Sequence, residues 1–214
     1  MSDVSLPVSY RTLEAPVHVE WVEKKSRFLC ALFPAATEHA VQQQLALLRK
    51  QYWDATHHCS AFRLKDGTER AHDDGEPAGT AGRPMLHVLQ QHDLVDVCAV
   101  VTRYFGGTLL GAGGLVRAYS HSVVRAIEAA TLLSIAPHDL YHLTLDYSQY
   151  DFALHRLREA GWEVAASFTD RVTLTVIAPT AVRETAIPML TSLAQSPVPI
   201  VPVQTELRAL HVTK

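Results

Sequence analysis

The first part of the chain alternates between the hydrophobic spacing of strands and that of helices. Residues 17–22 alternate apolar and polar side chains, and residues 28–33 are continuously apolar before Pro34, so both segments are predicted to be strands. A helix follows, with Thr37 as its N-cap. Its apolar face has helical spacing and consists of Val41, Leu45, Leu48 and Tyr52. Residues 1–13 show no period and are predicted to be a loose arm.

The middle of the chain continues this mixture of strands and helices. A strand is predicted over residues 57–64, a short helix over residues 85–89, and another strand over residues 94–105. Within the last of these, Val97–Val101 is apolar without interruption, which predicts burial on both faces of a sheet. Beyond Gly114 we expect a long helix with one apolar stripe. Its opposite, polar stripe consists of Arg117, His121, Arg125 and Glu128.

The last third of the chain has the order strand, helix, strand, strand, helix, strand. The segments are residues 141–147, 151–160, 162–167, 172–178, 181–193 and 198–207. This βαββαβ order is typical of a ferredoxin-like domain. We therefore predict an α+β protein of two domains, residues 1–136 and residues 137–214, with a boundary near Pro137. Pro188 lies within the second helix and is expected to kink or shorten it.

Composition limits the class of protein. The 214 residues are 48% hydrophobic and carry a formal net charge of −3, which fits a soluble globular protein and speaks against nucleic-acid binding through bulk positive charge. The three cysteines, Cys30, Cys59 and Cys98, show no CxxC spacing and predict neither disulfides nor a zinc site. No signal peptide or membrane span is predicted. We expect a cytoplasmic protein with no membrane partner, cofactor or metal.

Two glycine-rich turns are the main candidates for a functional site, because eight of the ten glycines lie between Gly75 and Gly114. The second turn joins a buried strand to a helix, a geometry that presents backbone N–H groups and the positive end of a helix to an anion. Its spacing fits neither a P-loop nor a dinucleotide fingerprint. Its glycines, all candidate anion-binding residues, are Gly106, Gly107, Gly111, Gly113 and Gly114.

Arg103 precedes the second turn and Arg117 follows it. Each is placed to add a bidentate contact to a phosphate bound by the turn. In the alternative interpretation, the glycines allow tight packing of the strand against the helix, and both arginines are surface residues that aid solubility. The residue pattern leaves both interpretations open.

The first turn, over residues 73–84, combines glycines with the carboxylates of Asp73, Asp74 and Glu76. Clustered carboxylates act as Mg²⁺ ligands or as acids and bases, and His57, His58 and His72 are candidates to join them. Calcium-type ligand spacing is absent. In the alternative interpretation, which we favour, these carboxylates accept hydrogen bonds from nearby backbone N–H groups and order the turn.

A small basic cluster of Lys24, Lys25 and Arg27 lies next to Trp21 and Phe28. Such a cluster can contact a phosphate backbone while a ring stacks on a base, although a charge run of this kind is more often a solvated bend between strands. In residues 57–59, His-His-Cys, the first and third side chains are predicted to share one face of a strand and His58 the other. Packing of Cys59 and hydrogen bonding of His58 are favoured over a metal site.

These motifs together resemble the IMPACT/YigZ family over about residues 17–130. The segments that carry the resemblance are residues 24–28, 57–59, 73–84, 100–107 and 111–119. The resemblance implies an amino-terminal domain with the fold of domain IV of elongation factor G and of the second domain of a small-subunit ribosomal protein, followed by a ferredoxin-like domain. The resemblance also implies that eukaryotic relatives regulate translation by competing for the activator of the kinase that phosphorylates an initiation factor. Those relatives carry an extra amino-terminal interaction domain that this chain is expected to lack, so their partner is not carried over.

The resemblance favours a translation-associated regulatory protein that binds RNA or a ribosomal component through the second glycine-rich turn, with no specificity for DNA. Lys24, Lys25, Arg27, Arg103 and Arg117 are the expected basic contacts. One alternative is an enzyme acting on a small phosphorylated metabolite, with the acidic first turn as its metal or base site; this requires the two turns to meet across one cleft. The other is a protein interaction module without an anion site.

Overall fold

The computed structural model describes residues 9–211 and shows two compact units, residues 10–134 and residues 135–210. The division falls inside a long strand, Leu132–Leu145, close to the boundary expected near Pro137. Both units contain a sheet and helices, so the protein is a mixed α+β protein.

The first unit is built on a five-stranded sheet with the order β2-β3-β6-β4-β5, in which all neighbouring strands are antiparallel. Its strands and the short strand that precedes them are β1 Tyr10–Leu13, β2 Val17–Glu23, β3 Ser26–Pro34, β4 His57–Arg63, β5 Glu69–His72 and β6 Val97–Tyr104. Its helices are α1 Glu38–Gln51, α2 Gly82–Gln91 and α3 Ala112–Ala129.

Both faces of this sheet are buried under helices. On one face, Met85 of α2 and Tyr119 of α3 belong to the same core cluster as Val101 of β6. On the other face, Leu45 of α1 belongs to a second cluster with Val100 of β6. Every residue of β6 except its last is buried, so the prediction that this strand is covered on both sides is confirmed. The second glycine-rich turn therefore follows directly after a buried strand at the centre of the sheet.

The helix α1 begins where the sequence predicts. The Thr37 hydroxyl accepts a hydrogen bond from the Ala40 N–H at 3.1 Å, an N-cap contact that typically stabilises a helix by about 1 kcal/mol. Val41, Leu45 and Leu48 are buried beneath the sheet. The predicted cap and apolar face are both confirmed.

The predicted loose arm is wrong for its last residues. Tyr10–Leu13 forms β1, Leu13 is buried, and the Glu14 N–H donates to the Thr131 carbonyl at 3.1 Å. The short segment shows no period because a four-residue strand is too brief to display one. Residues 1–8 of the predicted arm lie outside the described residues.

The second unit has the predicted order of elements. These are β7 Leu132–Leu145, α4 Tyr147–Glu159, β8 Glu163–Phe168, β9 Val172–Pro179, α5 Arg183–Leu193 and β10 Gln204–His211. In the sheet β9 lies between β8 and β7, and β10 also pairs with β7. The strand β7 begins earlier than predicted and runs through Pro137, and α5 continues through Pro188, so neither proline ends its element. Within residues 9–211, we find no helix with the length and hydrophobicity needed to cross a bilayer.

Candidate functional site

The hairpin turn between β2 and β3 is closed by two lysines in a conformation that glycine or asparagine normally adopts. Lys24 and Lys25 have φ angles of 46° and 67°, and Glu23 pairs with Ser26 across the turn. This is the positive-φ geometry of a tight two-residue hairpin turn. It costs a non-glycine residue roughly 1–2 kcal/mol, so the surrounding structure must hold the turn in place.

Gly106 of the second glycine-rich turn packs directly on this hairpin. A Cβ atom at Gly106 would overlap the Lys25 carbonyl group and the Ser26 nitrogen. The Gly106 N–H also donates to the Ser26 hydroxyl at 3.2 Å, and Ser26 is fully buried. The absence of a side chain at Gly106 therefore fixes Lys24 and Lys25 beside the second turn, a proximity that residue spacing does not reveal.

The second turn ends at the exposed amino terminus of α3. Gly111 is the N-cap with a φ of 73° and provides no side-chain cap. The first N–H groups of an α-helix have no partner within the helix, and the helix dipole makes this end attractive to anions. Gly111 and Gly113 are exposed, as is Gly107, whose φ is 78°. The backbone geometry predicted for an anion site is thus present.

Arg103, predicted to flank a bound phosphate, lies in a buried ion pair. Its Nη1 donates to Glu76 Oε1 at 2.6 Å and its Nη2 to the Ser26 hydroxyl at 3.3 Å. The side chains of Arg103 and Glu76 are 6% and 3% exposed. The guanidinium also lies over the rings of Phe28 and Phe105. Arg103 therefore joins the first turn to the second through Nη1 and Nη2, while its buried Nε has no hydrogen-bond partner among the described residues.

Tyr119 and Cys59 extend the buried network around Glu76. The Tyr119 hydroxyl donates to Glu76 Oε1 at 2.7 Å, and the Cys59 thiol lies 3.3 Å from that hydroxyl and 2.9 Å from the Asp73 carbonyl. Burial raises the pKa of Cys59 to about 12, and burial likewise raises the pKa of Tyr119. A thiol of this kind is not a reactive thiolate, so packing, as the sequence favoured, is the role of Cys59.

The carboxylates of the first turn do not converge. Asp73 accepts hydrogen bonds from three backbone N–H groups, those of Gly79, Ala81 and Gly82, at 2.8, 3.0 and 2.8 Å. Burial alone would raise the pKa of Asp73, but these hydrogen bonds outweigh it and the pKa is lowered. Asp74 instead accepts from the His58 N–H at 2.7 Å and from Arg49 at 2.8 Å.

Glu76 is paired with Arg103, so the carboxylates of Asp73, Asp74 and Glu76 each accept hydrogen bonds from a different set of donors. Within residues 9–211, no group of three or more His, Cys, Asp or Glu side chains is arranged to hold a metal ion. The carboxylates of the first turn therefore accept hydrogen bonds from backbone and side-chain donors, as in the alternative interpretation that the sequence favoured, because buried N–H groups need acceptors.

The two histidines of β4 lie on opposite faces of the sheet. His58 pairs in register with Thr102, and its Nδ1 lies 3.0 Å from the Thr102 hydroxyl. Burial lowers the pKa of His58, in spite of the nearby Asp74 carboxylate. His57 pairs with Arg103 instead, its Nδ1 donates to the Asp74 carbonyl at 2.8 Å, and its Nε2 lies 3.8 Å from Glu76 Oε1. The predicted division of the two side chains is confirmed.

The two glycine-rich turns meet across one cleft of about 430 Å³, which we call the turn cleft. The first turn contributes Gly75, Glu76 and Pro77, and the second contributes Phe105, Leu109 and the start of α3. His57 and Arg103 also line it. Asp73 and Asp74 instead line a different depression, beside Arg49. The enzyme alternative required the two turns to meet across one cleft, and His57 was one of three histidines considered as partners of the first-turn carboxylates.

A larger cavity of about 530 Å³ lies on the other side of the second turn. We call it the β2–α3 cavity, because β2 contributes Trp21 and Glu23 while α3 contributes Gly114, Arg117 and His121. Lys24 of the hairpin also lines it. Two of the predicted basic contacts, Lys24 and Arg117, are thereby brought to one place from distant parts of the chain.

Arg27, predicted to extend the same basic surface, lies elsewhere. Its neighbours Ser26 and Phe28 are both buried, Phe28 in the cluster that includes Tyr119 of α3, and successive side chains of a strand point to opposite faces. Arg27 is exposed on the other face, where it pairs with Glu20 at 2.7 Å and lies over the Tyr104 ring. The alternation of β3 therefore removes Arg27 from the candidate site.

Comparison with known proteins places these features in a family. Residues 24–127 match the model of the Impact N-terminal domain. The chain is 44% identical over 154 residues to the IMPACT family member YvyE of Bacillus subtilis strain 168, an alignment that covers 71% of each chain. The chain belongs to the IMPACT family. The IMPACT family member YigZ of Escherichia coli K12 is 41% identical over 139 residues, 63% of this chain and 68% of its own length.

A solved structure has a similar fold. It is described as the crystal structure of a hypothetical protein, and it aligns with a TM-score of 0.59 at 32% identity, covering 93% of this chain and 99% of its own. The resemblance stated from the sequence is thus confirmed at the level of the IMPACT family. All the motifs that carry it, from Lys24 to Tyr119, lie within the matched Impact N-terminal domain.

Proposed function

We propose that this IMPACT-family protein is a regulator of translation that binds RNA of the translation machinery. The binding surface, which we call the loop surface, consists of the β2–β3 turn, the second glycine-rich turn and the first turn of α3. Its residues are Lys24, Lys25, Gly106, Gly107, Gly111, Gly113, Gly114 and Arg117. Family membership supports the translational part of this proposal, because the resemblance to the IMPACT family implies such a role.

The observation that carries the RNA part is the packing of Gly106 on the lysine hairpin. This contact places the backbone of the lysine hairpin against the second glycine-rich turn, and Lys24 and Arg117 line one cavity beside the start of α3. In the part of the chain that the structure describes, Lys24, Lys25 and Arg117 form no ion pair with an acidic side chain. Phosphate groups are bound by unpaired basic side chains and by backbone N–H groups at helix starts.

The expected affinity is modest. The net charge of −3 means that no bulk positive field assists binding. For two to three phosphate contacts, the logarithm of the binding constant falls with the logarithm of salt concentration with a slope of roughly −1.5 to −3. We therefore expect the RNA affinity of this local site to depend weakly but measurably on salt concentration.

The test is fluorescence anisotropy with labelled ribosomal RNA fragments and transfer RNA, at low salt and along a salt series. The variant is Lys24→Asn, Lys25→Gly and Arg117→Gln combined. Asparagine and glycine favour the positive φ of this turn, so charge is removed while the hairpin is preserved. We expect the triple variant to bind more weakly and with a shallower salt slope, since each lost phosphate contact reduces the slope by about 1.

Arg27→Gln is the control for the position of the charge, because it removes a single positive charge from the opposite face of the sheet. We expect it to bind RNA like the unchanged protein. Lack of RNA binding by the unchanged protein at low salt, or equal binding by the triple variant, contradicts the proposal. Addition of the protein to a cell-free translation reaction then tests regulation, and the triple variant should have the smaller effect on protein synthesis.

We also propose that the two units have the folds that the resemblance implies, that of elongation factor G domain IV for residues 10–134 and ferredoxin-like for residues 135–210. The strand order β10-β7-β9-β8, together with two helices, supports the second assignment. The expected compartment is the cytoplasm. The free state of all three cysteines, each of them buried, supports a reducing environment.

A second candidate function is an enzyme acting on a small phosphorylated metabolite, and the turn cleft is the observation that favours it. The cleft joins the start of α3 to Glu76 and His57. The Nδ1 of His57 is held by a backbone carbonyl, which leaves Nε2 as the nitrogen near Glu76. A thermal-shift panel of sugar phosphates and nucleotides tests it: a rise in melting temperature that His57→Ala abolishes supports the enzyme, and no rise with any compound rejects it.

A further inference from the structure

The β2–α3 cavity has walls of two different kinds. On β2, Trp21 and Glu23 are two residues apart and therefore point to the same face of the strand, towards α3. On α3, Gly114 and Ala118 are small, and they alternate along one stripe with Arg117 and His121. Leu110 also lines the cavity, and its Cβ lies 3.0 Å from the position that a Cβ atom of Gly114 would take. The volume of about 530 Å³ is in the range of cavities that hold small organic groups.

Aromatic rings form one side of this cavity. The rings of Trp21 and His121 meet edge to face, with centroids 4.5 Å apart. Trp21 is half-buried and His121 is exposed. Because β2 is an edge strand of its sheet, the cavity opens at a border of the unit that no further strand covers among residues 9–211. Proteins bind unstacked bases on aromatic rings placed in this way.

Basic groups lie at the rim of the same cavity. Lys24 is in the hairpin at the end of β2, and Arg117 is one turn of α3 before His121. Glu23 is the acidic residue among the lining side chains. A carboxylate repels phosphate but accepts hydrogen bonds from an exocyclic amino group, such as that of cytosine or adenine. The combination favours a nucleotide whose phosphate lies at the rim and whose base lies inside.

We propose that the β2–α3 cavity binds one unstacked base of a single-stranded RNA, with Trp21 and His121 contacting the base and with Lys24 and Arg117 contacting its flanking phosphates. The proposal rests on the proposed function and makes it more specific, because it assigns recognition to single strands. Duplex RNA keeps its bases stacked and paired and cannot fill the cavity. A peptide pairing with the edge strand β2 is the competing occupant.

The experiment uses the full chain with Trp53 and Trp162 replaced by phenylalanine, so that Trp21 is its one tryptophan. It is titrated with a 12-nucleotide single-stranded RNA rich in cytosine and adenine, with a duplex of the same sequence, and with an abasic RNA of the same length. We expect quenching of Trp21 fluorescence by the single strand and weaker binding of the duplex and abasic RNA.

Variants of the unmodified chain separate the base contact from the phosphate contacts. Stacking of a base on an aromatic side chain corresponds to a loss of about 5- to 150-fold in affinity on alanine substitution. We expect a loss in this range for Trp21→Ala, a smaller loss for His121→Ala, and recovery of most of the affinity in Trp21→Phe. Trp53→Ala is the control, since Trp53 is 81% exposed and does not line the cavity.

Each outcome distinguishes this inference from the proposed function. If RNA binds and depends on the lysine hairpin, but His121→Ala and a folded Trp21→Ala bind it like the unchanged protein, the base pocket is wrong and phosphate binding stands. Equal binding of abasic RNA and single-stranded RNA leads to the same conclusion. If no RNA binds the unchanged protein, both proposals fail, and a peptide at the edge strand becomes the better explanation of the cavity.

Discussion

The buried ion pair between Arg103 and Glu76 makes a strong prediction about stability. Replacement of Arg103 by methionine leaves the Glu76 carboxylate, whose side chain is 3% exposed, with the Tyr119 hydroxyl as its remaining strong donor. An uncompensated buried charge of this kind destabilises a protein by about 3–5 kcal/mol. Since domains are stable by about 5–15 kcal/mol in total, we expect Arg103→Met to lose a large part of its free energy of unfolding.

A double-mutant cycle isolates the pair from other effects of the substitution. Its members are Arg103→Met, Glu76→Gln and the double variant, each unfolded in urea and followed by tryptophan fluorescence. The double variant has no stranded charge. We therefore expect its loss of stability to be smaller than the sum of the two single losses by about 2 kcal/mol or more, within the range measured for contacting residues.

The pair of Arg27 and Glu20 is the matched control for this cycle. It has the same chemistry and a similar distance of 2.7 Å, but its side chains are 50% and 47% exposed. Exposed pairs are screened by water and gain little, so the same cycle should show no coupling beyond experimental error. A coupling in the buried pair no larger than that in the exposed pair would refute the view that Arg103 serves to neutralise Glu76.

Four further predictions follow from contacts of the first unit. Gly106→Ala places a methyl group against the hairpin backbone and should lower the free energy of unfolding by about 1–3 kcal/mol, measured by urea unfolding. At Gly107 an added methyl group meets no atom within 4 Å. Gly107→Ala should therefore lower the free energy of unfolding only by the cost of its positive φ, about 1–2 kcal/mol. Asp73→Ala removes the acceptor of three N–H groups and should destabilise by at least 1–3 kcal/mol; a change within error contradicts this role. Because burial lowers the pKa of His58, the unfolded chain binds more protons near pH 6.5, so stability should fall as pH drops from 8 to 5, less steeply in His58→Gln. With its pKa raised to about 12, Cys59 should resist iodoacetamide at pH 8 until urea unfolds the protein, and modification of the folded protein contradicts its burial.

The elements of this protein were largely predictable from local pattern. The apolar spacing of α1 and its Thr37 cap, the doubly buried strand β6 and the βαββαβ order of the second unit all agree with the structure. Each of these signals lies within about 20 consecutive residues, where periodicity directly reflects which side of an element is buried. The differences occur where local signals are short, as in β1, or where a predicted boundary falls inside an element, as at Pro137 within β7.

The candidate site was predicted in part. Residue pattern identified the second glycine-rich turn, the exposed start of α3 and the basic residues Lys24 and Arg117. It also grouped Arg27 and Arg103 with them, although one lies on the opposite face of the sheet and the other in a buried ion pair. The sequence gives the charge of a side chain but not the partner that it meets after folding. The same function was therefore predicted for the two arginines, although their surroundings in the structure differ.

The sequence by itself determined the IMPACT family, the mixed α+β class and the positions of the two glycine-rich turns, because these depend on residue order and local spacing. The tertiary structure alone decided that Gly106 packs on the lysine hairpin, that Glu76 neutralises Arg103, and that Trp21 faces α3 across a cavity. These contacts join residues as far apart as Trp21 and His121. Strand pairing and sheet-face alternation bring them together, and only the folded chain specifies both.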